Sequence, residues 1–344
     1  MHQVSTQRVG PLSELSAVLQ GLGADVYEVF EGSGVDPWSV KPDLRMGFPE
    51  LLDLLERAAR ISGCPHIGLL FGLRFEVVKH HGIIGELMHS APTLKQAFVD
   101  CVTWQLGYSS GAIVYLNQLD DEYAFGYGTY EVSSQGTRVL YDVIVCIAAR
   151  MVHELSGGKA KVVEAHFAHS GSADSATYER LLRLPVRFNQ NRTGVLVKAE
   201  AMRLKPPHAN PEERKRLLSV IEAALWEEKP DFATRLSHVI RQQMHYKGLS
   251  MPAVASQMNM HPRTLRRRLR DEGTNFEELS DRTRYAVARE LLELTSIPIS
   301  EISAFLCFAS PGVFSKAFRR WSGTSASKWR RGTSFVKFSK KDER

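Results

Sequence analysis

The residues of greatest chemical potential in this 344-residue chain are basic side chains that recur at helical spacing. Residues 262–271 carry Arg263, Arg266, Arg267, Arg268 and Arg270, with Thr264 beside them and Leu265 and Leu269 four residues apart. A planar guanidinium donates two parallel hydrogen bonds to guanine O6 and N7, or to a phosphate, so a row of them suits a nucleic acid. The two leucines share one helical face and turn inward, leaving the arginines on the other faces. Residues 311–322 repeat the layout: Phe314 and Phe318 stand for the leucines, and Lys316 and Arg319 for Arg267 and Arg270.

Other patterns suggest catalysis or ligation and lack the context for it. Gly107-Tyr108-Ser109-Ser110-Gly111 has the spacing of a nucleophile elbow, which needs a strand before it and a helix after it. Here a helix-like segment, 98–106, precedes it and a strand-like one follows. Gly21-Leu22-Gly23 has Val26 where a dinucleotide fingerprint needs its third glycine, and Gly158-Lys159 has His153 where a phosphate loop needs glycine. His80 and His81 on an extended segment would point to opposite sides, and so would His166 and His169 on a strand, so no metal site is expected. No catalytic residue and no cofactor is assigned. Tyr123, Phe125 and Tyr127 alternate along one strand face, with Trp104, Tyr115 and Tyr130 nearby in sequence. They read either as the lining of an apolar ligand cavity or as ordinary core.

The basic stretches need elements to present them. From Phe232 the chain parses into seven short helices. Ser250 can cap one that ends at a turn, Asn259-Met260. His261 then sits at a cap with Pro262 at the first helical position, where a missing N–H costs nothing. Gly273 closes that helix. About 49 residues later Ser300 caps a helix, Cys307-Phe308-Ala309 is the turn, Ser310 caps the next helix with Pro311 first, and Gly323 closes it. Each unit is therefore a helix, a turn and a second helix with a basic outer face, the layout of a helix-turn-helix. An amphipathic helix over about 276–295 separates them. Some twenty residues at 1.5 Å make roughly 30 Å, close to one turn of DNA, so the two reading helices are expected in successive major grooves.

The body before residue 230 mixes elements. Residues 10–106 read as mostly helical. Residues 112–117 and 123–130 read as strands around the turn 119–122. A helix spans 137–155, a strand 161–169 and a helix 175–184. Residues 186–188 and 194–197 suggest a hairpin around Asn189-Gln190-Asn191. A proline-rich loop at 204–211 precedes a helix over about 212–226, and Glu228-Lys229-Pro230-Asp231 reads as a junction. The fold class expected is an α+β N-terminal sensor domain followed by an all-α C-terminal domain with two helix-turn-helix motifs. The domains are placed at 1–207, 208–231 (a linker with a helix), 232–334 and a basic tail at 335–344.

Charge follows the same division. Residues 231–344 hold 21 Lys and Arg against 11 Asp and Glu, a net +10, so the chain's +6 leaves −4 on residues 1–230. A basic third on a mildly acidic body points to a polyanion partner. Four cysteines without C-x-x-C spacing, no apolar run near the roughly 18–20 residues of a membrane span, and no basic-then-apolar start lead us to expect a cytoplasmic protein with neither disulfides nor zinc.

The C-terminal region resembles the DNA-binding domain of AraC/XylS-type transcription regulators, in residues 260–269, 273–276, 302–308 and 314–323. It departs from the family's usual residues at His261, Ser303, Cys307 and Ala326, where Ser, Ala, Gly and Pro are usual. Residues about 4–207 resemble the arabinose-binding-type N-terminal domain of one branch of that family, through Gly68, Leu69 and Gly72, residues 84–87, 90–97 and 184–188. The resemblance implies a sequence-specific DNA-binding regulator, an activator that touches RNA polymerase, with an N-terminal domain that senses a small molecule or mediates dimerisation. The alternatives are a dimerising regulator without a ligand, or an N-terminal enzyme fused to a DNA-binding module.

Position on the two reading helices assigns roles. Arg263, Thr264 and Arg267 lie early on the first, nearest the base edges, and Gly312, Val313 and Lys316 take those places on the second. Val313 suits a thymine methyl. Arg266, Arg270, Ser315, Arg319 and Arg320 are assigned to phosphate. Arg268 is open to folding back along the scaffold instead.

Overall fold

Apolar residues at three- and four-residue spacing build most of the first hundred residues as short helices packed on one another. The computed structural model describes residues 6–104, 112–129, 135–171, 175–225, 231–246 and 248–332. The chain divides between Ile221 and Glu222 into two units.

In the first unit the helices are α1 (Leu15–Gly21), α2 (Val26–Phe30), α3 (Phe48–Ser62), α4 (Ile67–Gly72), α5 (Val77–His81), α6 (Ile83–His89), α7 (Leu94–Trp104), α8 (Gln135–Leu155), α9 (Ser175–Leu182) and α10 (Pro211–Leu225). The short strands β1 (Thr6–Arg8) and β2 (Arg45–Gly47) pair antiparallel. A five-stranded sheet contains β3 (Ala112–Leu119), β4 (Glu122–Thr129), β5 (Val162–His166), β6 (Val186–Arg187) and β7 (Thr193–Lys198), in the order β3-β4-β7-β5-β6. Helices α3 and α4 pack on α8. Gly68 and Gly72 allow the close approach, since a Cβ on either would lie 2.5 Å from the Val139 carbonyl or 2.8 Å from the Cys146 Cβ.

Two local expectations are corrected. The 186–188 and 194–197 segments do not form a hairpin: β6 runs parallel to β5, and β7 lies between β4 and β5. The Asn189 turn, at φ +56°, redirects the chain past β5 and does not fold it back on itself. His80 and His81 stand on α5, not on an extended segment. The buried His80 ring accepts from the Glu76 N–H through Nδ1 at 2.9 Å and faces Glu14 Oε1 through Nε2 at 3.2 Å, which occupies both its nitrogens. Helix α10 is tied down by a bidentate pair, Arg214 Nη1 and Nη2 to Asp100 of α7, at 2.5 and 2.7 Å.

The second unit contains seven helices among the described residues: α11 (Phe232–Met244), α12 (Met251–Gln257), α13 (Pro262–Asp271), α14 (Phe276–Leu294), α15 (Ile299–Phe305), α16 (Pro311–Ser322) and α17 (Ala326–Gly332). Helices α11 to α13 form one cluster and α15 to α17 another, and α14 packs against members of each. Its apolar stripe, Leu279, Val287, Ala288, Leu291 and Leu292, is buried.

Candidate nucleic-acid interface

Local sequence fixes how each reading helix begins. Extended backbone at His261 and Ser310 lets those side chains turn back as caps. The His261 ring accepts from the Arg263 N–H at 3.2 Å, and Ser310 Oγ accepts from the Val313 N–H at 3.3 Å. Pro262 and Pro311 follow in the first turn. At the far end of α16, Gly323 takes φ +74°, a left-handed cap that a side chain would strain.

The inward pairs hold these helices in their clusters. Leu265, Leu269, Phe314 and Phe318 are fully buried. Arg263, Arg266, Arg267 and Arg270 are exposed on α13, and Thr264 is half-buried. On α16, Gly312, Val313, Ser315, Lys316, Arg319 and Arg320 are exposed, Val313 to 48%. An apolar side chain that open at a reading position suits contact with a thymine methyl.

The basic groups differ in what already engages them. Arg263, Arg267, Arg270, Lys316 and Arg319 form no ion pair with another described residue, so their donors face outward. Among the described residues Arg266 reaches the Met251 sulfur, at 3.8 Å. Arg320 is placed otherwise: it donates to Asp281 Oδ2 of α14 at 2.5 Å, an oxygen shared with the Trp321 indole N–H at 3.2 Å. Arg268 lies over the Phe232 ring at 5.4 Å, folded back on the scaffold.

The turns between paired helices are not identical. The first reverses at Asn259, φ +51°, and the second at Cys307, φ +61°. Two residues separate Asn259 from Pro262, and three separate Cys307 from Pro311. The longer turn is fastened by Arg284 of α14, whose Nε donates to the Leu306 carbonyl at 3.0 Å while its guanidinium covers Phe308 at 5.0 Å. Sequence reasoning missed one more contact. Glu272, just past α13, accepts from the Phe232 and Ala233 N–H groups, at 2.9 Å each, and so caps α11. Only its side chain's reach across the fold reveals that role.

The first unit holds a separate feature, an apolar cavity of about 90 Å³. Leu51 and Leu55 of α3, Phe71 of α4 and Val143 and Ile147 of α8 line it, with Phe125 and Tyr127 of β4. The other expected lining residues lie elsewhere. Tyr115 pairs with Gly126 across the β3–β4 ladder and lies over that glycine, on the face opposite Phe125 and Tyr127. Tyr123 accepts from Lys95 Nζ and donates to Gln118 Oε1, both at 3.0 Å. Trp104 is buried at the end of α7, outside the lining. Arg8 and His81 do line the cavity, and no sequence pattern placed them there. Burial, with His80 and Arg8 nearby, pushes the His81 ring down to about 3.

The G-x-S-x-G run, Tyr130, residues 228–230 of the junction and the tail at 335–344 lie outside the described residues. Among the described residues no group of three His, Cys, Asp or Glu is placed to hold a metal ion, and no helix is long and apolar enough to cross a membrane.

Comparison with known proteins gives this geometry a context. A family model for the arabinose-binding domain of AraC transcription regulators matches residues 23–206, and a helix-turn-helix domain model matches residues 254–332. The chain is 26% identical to the HTH-type transcriptional regulator VirS of Mycobacterium tuberculosis, covering 91% of this chain and 93% of that protein. It is 24% identical to an ornithine utilization regulator of Pseudomonas aeruginosa, covering 90% and 91%. The crystal structure of the transcriptional regulator CdpR from the same organism aligns at a TM-score of 0.43 and 24% identity, covering 78% of this chain and 87% of that one.

Proposed function

The chain belongs to the AraC family of transcription regulators and is a DNA-binding regulator, and from that premise we propose that it is a small-molecule-responsive, dimeric activator. In this reading α13 and α16 enter successive major grooves of one site. Arg263, Thr264 and Arg267 read bases on α13, and Gly312, Val313 and Lys316 read them on α16. Arg266, Arg270, Ser315 and Arg319 hold phosphate, and so does Arg320, whose charge is partly offset by Asp281. Effector binding in the N-terminal unit shifts the population of binding-competent dimers, which recruit RNA polymerase in the cytoplasm.

One observation carries the reading. Two capped helices, each pinned by a buried apolar pair, present basic groups that no described residue neutralises. A purely structural cationic face would engage its charges internally, as Arg320 and Arg241 do with Asp281 and Glu290. The 19-residue α14 between them is about 28 Å long at 1.5 Å per residue, which suits grooves one helical turn apart.

The test is a genome-wide footprint of the full-length protein, followed by binding to the recovered sites. We expect sites made of two short boxes about one helical turn apart. Sites without shared sequence would refute base reading. A thermal-shift screen of the full chain against metabolites tests the sensor, because a ligand selective for the native state raises its melting temperature. The relative named for ornithine utilization makes amino-acid catabolites a sensible first panel.

A further inference from the structure

We propose that His261 is a further DNA-binding residue, its ring Nε2–H donating to a phosphate oxygen on the wall of the groove that α13 enters. This rests on the placement of α13 proposed above and adds a contact by a residue so far described only as a cap.

The cap fixes where the ring's proton lies. His261 Nδ1 accepts from the Arg263 N–H at 3.2 Å, so Nδ1 offers its lone pair and the single proton of the neutral ring sits on Nε2. The residue is exposed, and Nε2 has no hydrogen bond or ion pair with a described residue. The ring therefore holds out a neutral donor of fixed direction.

The backbone of α13 does not supply such a donor. A helix start ordinarily offers free N–H groups to phosphate. Here Pro262 has none, and Arg263 gives its own to the His261 ring. Thr264 and Leu265 give theirs to the His261 carbonyl, at 2.9 and 3.2 Å. Helix α16 is arranged differently. Its cap, Ser310, takes the Val313 N–H through Oγ. The Gly312 N–H, which follows Pro311 as that of Arg263 follows Pro262, has no acceptor among the described residues. The His261 ring thus closes the amide that α16 leaves open and presents its own N–H instead.

The tether also selects phosphate over bases. A capping ring folds back over the first turn of its own helix, so it cannot extend toward base edges as the untethered Arg263 side chain can. Phosphate and sugar form the groove walls and take about half to two-thirds of the hydrogen bonds that proteins make to DNA. A neutral donor displaces no counterion, so this contact adds affinity without adding to the salt slope.

The experiment uses the full-length protein and a site recovered from the footprint. Anisotropy titrations run across a salt series at mildly alkaline pH, beside a melting temperature for each variant. His261→Ser keeps a capping oxygen and removes the ring. We expect it to hold the melting temperature, weaken binding about three- to tenfold on every single-base variant of the site alike, and leave the slope of log K against log salt unchanged. His261→Gln keeps a neutral N–H at the reach of Nε2 and loses the cap, so it should retain most of the affinity at a lowered melting temperature. Should the Gln variant fail to fold, the Ser variant decides alone. Affinity that follows melting temperature across the variants reduces His261 to a cap and overturns the proposal. So does a loss confined to one base position, which is base reading, or a slope flattened by about one, which is a cationic ring. No loss in His261→Ser while Arg263→Ala weakens binding overturns the His261 contact and leaves α13 in its groove. No loss in either variant overturns both.

Discussion

Arg263 and Arg319 share a charge and an exposed setting, yet they occupy different parts of their helices, and that difference is measurable. Arg263 follows the cap and the first-turn proline of α13, where a helix end meets base edges. Arg263→Ala should cost about 1–3 kcal/mol and relax preference at one base position, read by competition against single-base variants of the recovered site. Equal weakening on every variant would reassign Arg263 to phosphate. His81 supports a second residue-scale prediction. Its ring is pushed down to about 3 in the folded chain from an ordinary 6.5, chiefly by burial, with His80 and Arg8 adding to it. Below about pH 6.5 the unfolded chain takes up a proton that the folded chain refuses, so stability falls as pH drops from there toward 3. His81→Asn should therefore lose less melting temperature than the parent between pH 7 and 5. An equal loss in both proteins would remove His81 as a source.

At the scale of elements, the second turn carries a cost that the first partly avoids. Asn tolerates left-handed backbone better than most residues, and Asn259 holds that position in the first turn. Cys307 holds it in the second at φ +61°, where a Cβ crowds the following carbonyl. Cys307→Gly should relieve that crowding and raise stability by about 0.5–1 kcal/mol, less whatever the Sγ contacts to the Met244 and Phe305 carbonyls contribute. Chemical denaturation of the two proteins decides the sign. A destabilised glycine variant would mean that the sulfur contacts outweigh the strain. The same turn shows what the sequence reveals. The caps at Ser250, His261 and Ser310, the prolines, the apolar pairs and the extra residue of the second turn are local features, visible in residues 250–323, whereas Ser300 is not the cap expected of it: α15 begins at Ile299 after Pro298 and holds Ser300 in its first turn. The β5–β6 pairing is not, because a parallel neighbour is set by a crossover through α9 and not by the intervening residues. The three-residue strands β1 and β2 are too short for alternation to register, so Arg8 went unmarked. The strand aromatics were half legible. Alternation correctly put Phe125 and Tyr127 on one face, but Tyr115 sits on the other because it pairs with Gly126. Register, not composition, decides which side of the sheet a tyrosine faces.

At the scale of the whole molecule, charge is segregated along the chain, with +10 on residues 231–344 against −4 on the remainder. Such a division makes association with DNA steeply dependent on salt, because each phosphate neutralised releases condensed counterions. The formal charge overstates the effect wherever a cation is already paired within the protein. Arg319 forms no ion pair with a described residue, whereas Arg320, its neighbour, is held by Asp281 of α14. A free cation brought to phosphate contributes a full term to the slope of log K against log salt, whereas a cation that arrives with its carboxylate contributes much less. Arg319→Ala should therefore weaken binding on all sequences alike and reduce the slope by about one. Arg320→Ala should change the slope by clearly less, and Asp281→Asn should release Arg320 and steepen it. Anisotropy titrations of the three variants and the parent across a salt series separate these outcomes. If Arg319 and Arg320 flattened the slope equally, the carboxylate on α14 would not be moderating the interface, and the charge of the domain would act as a simple sum.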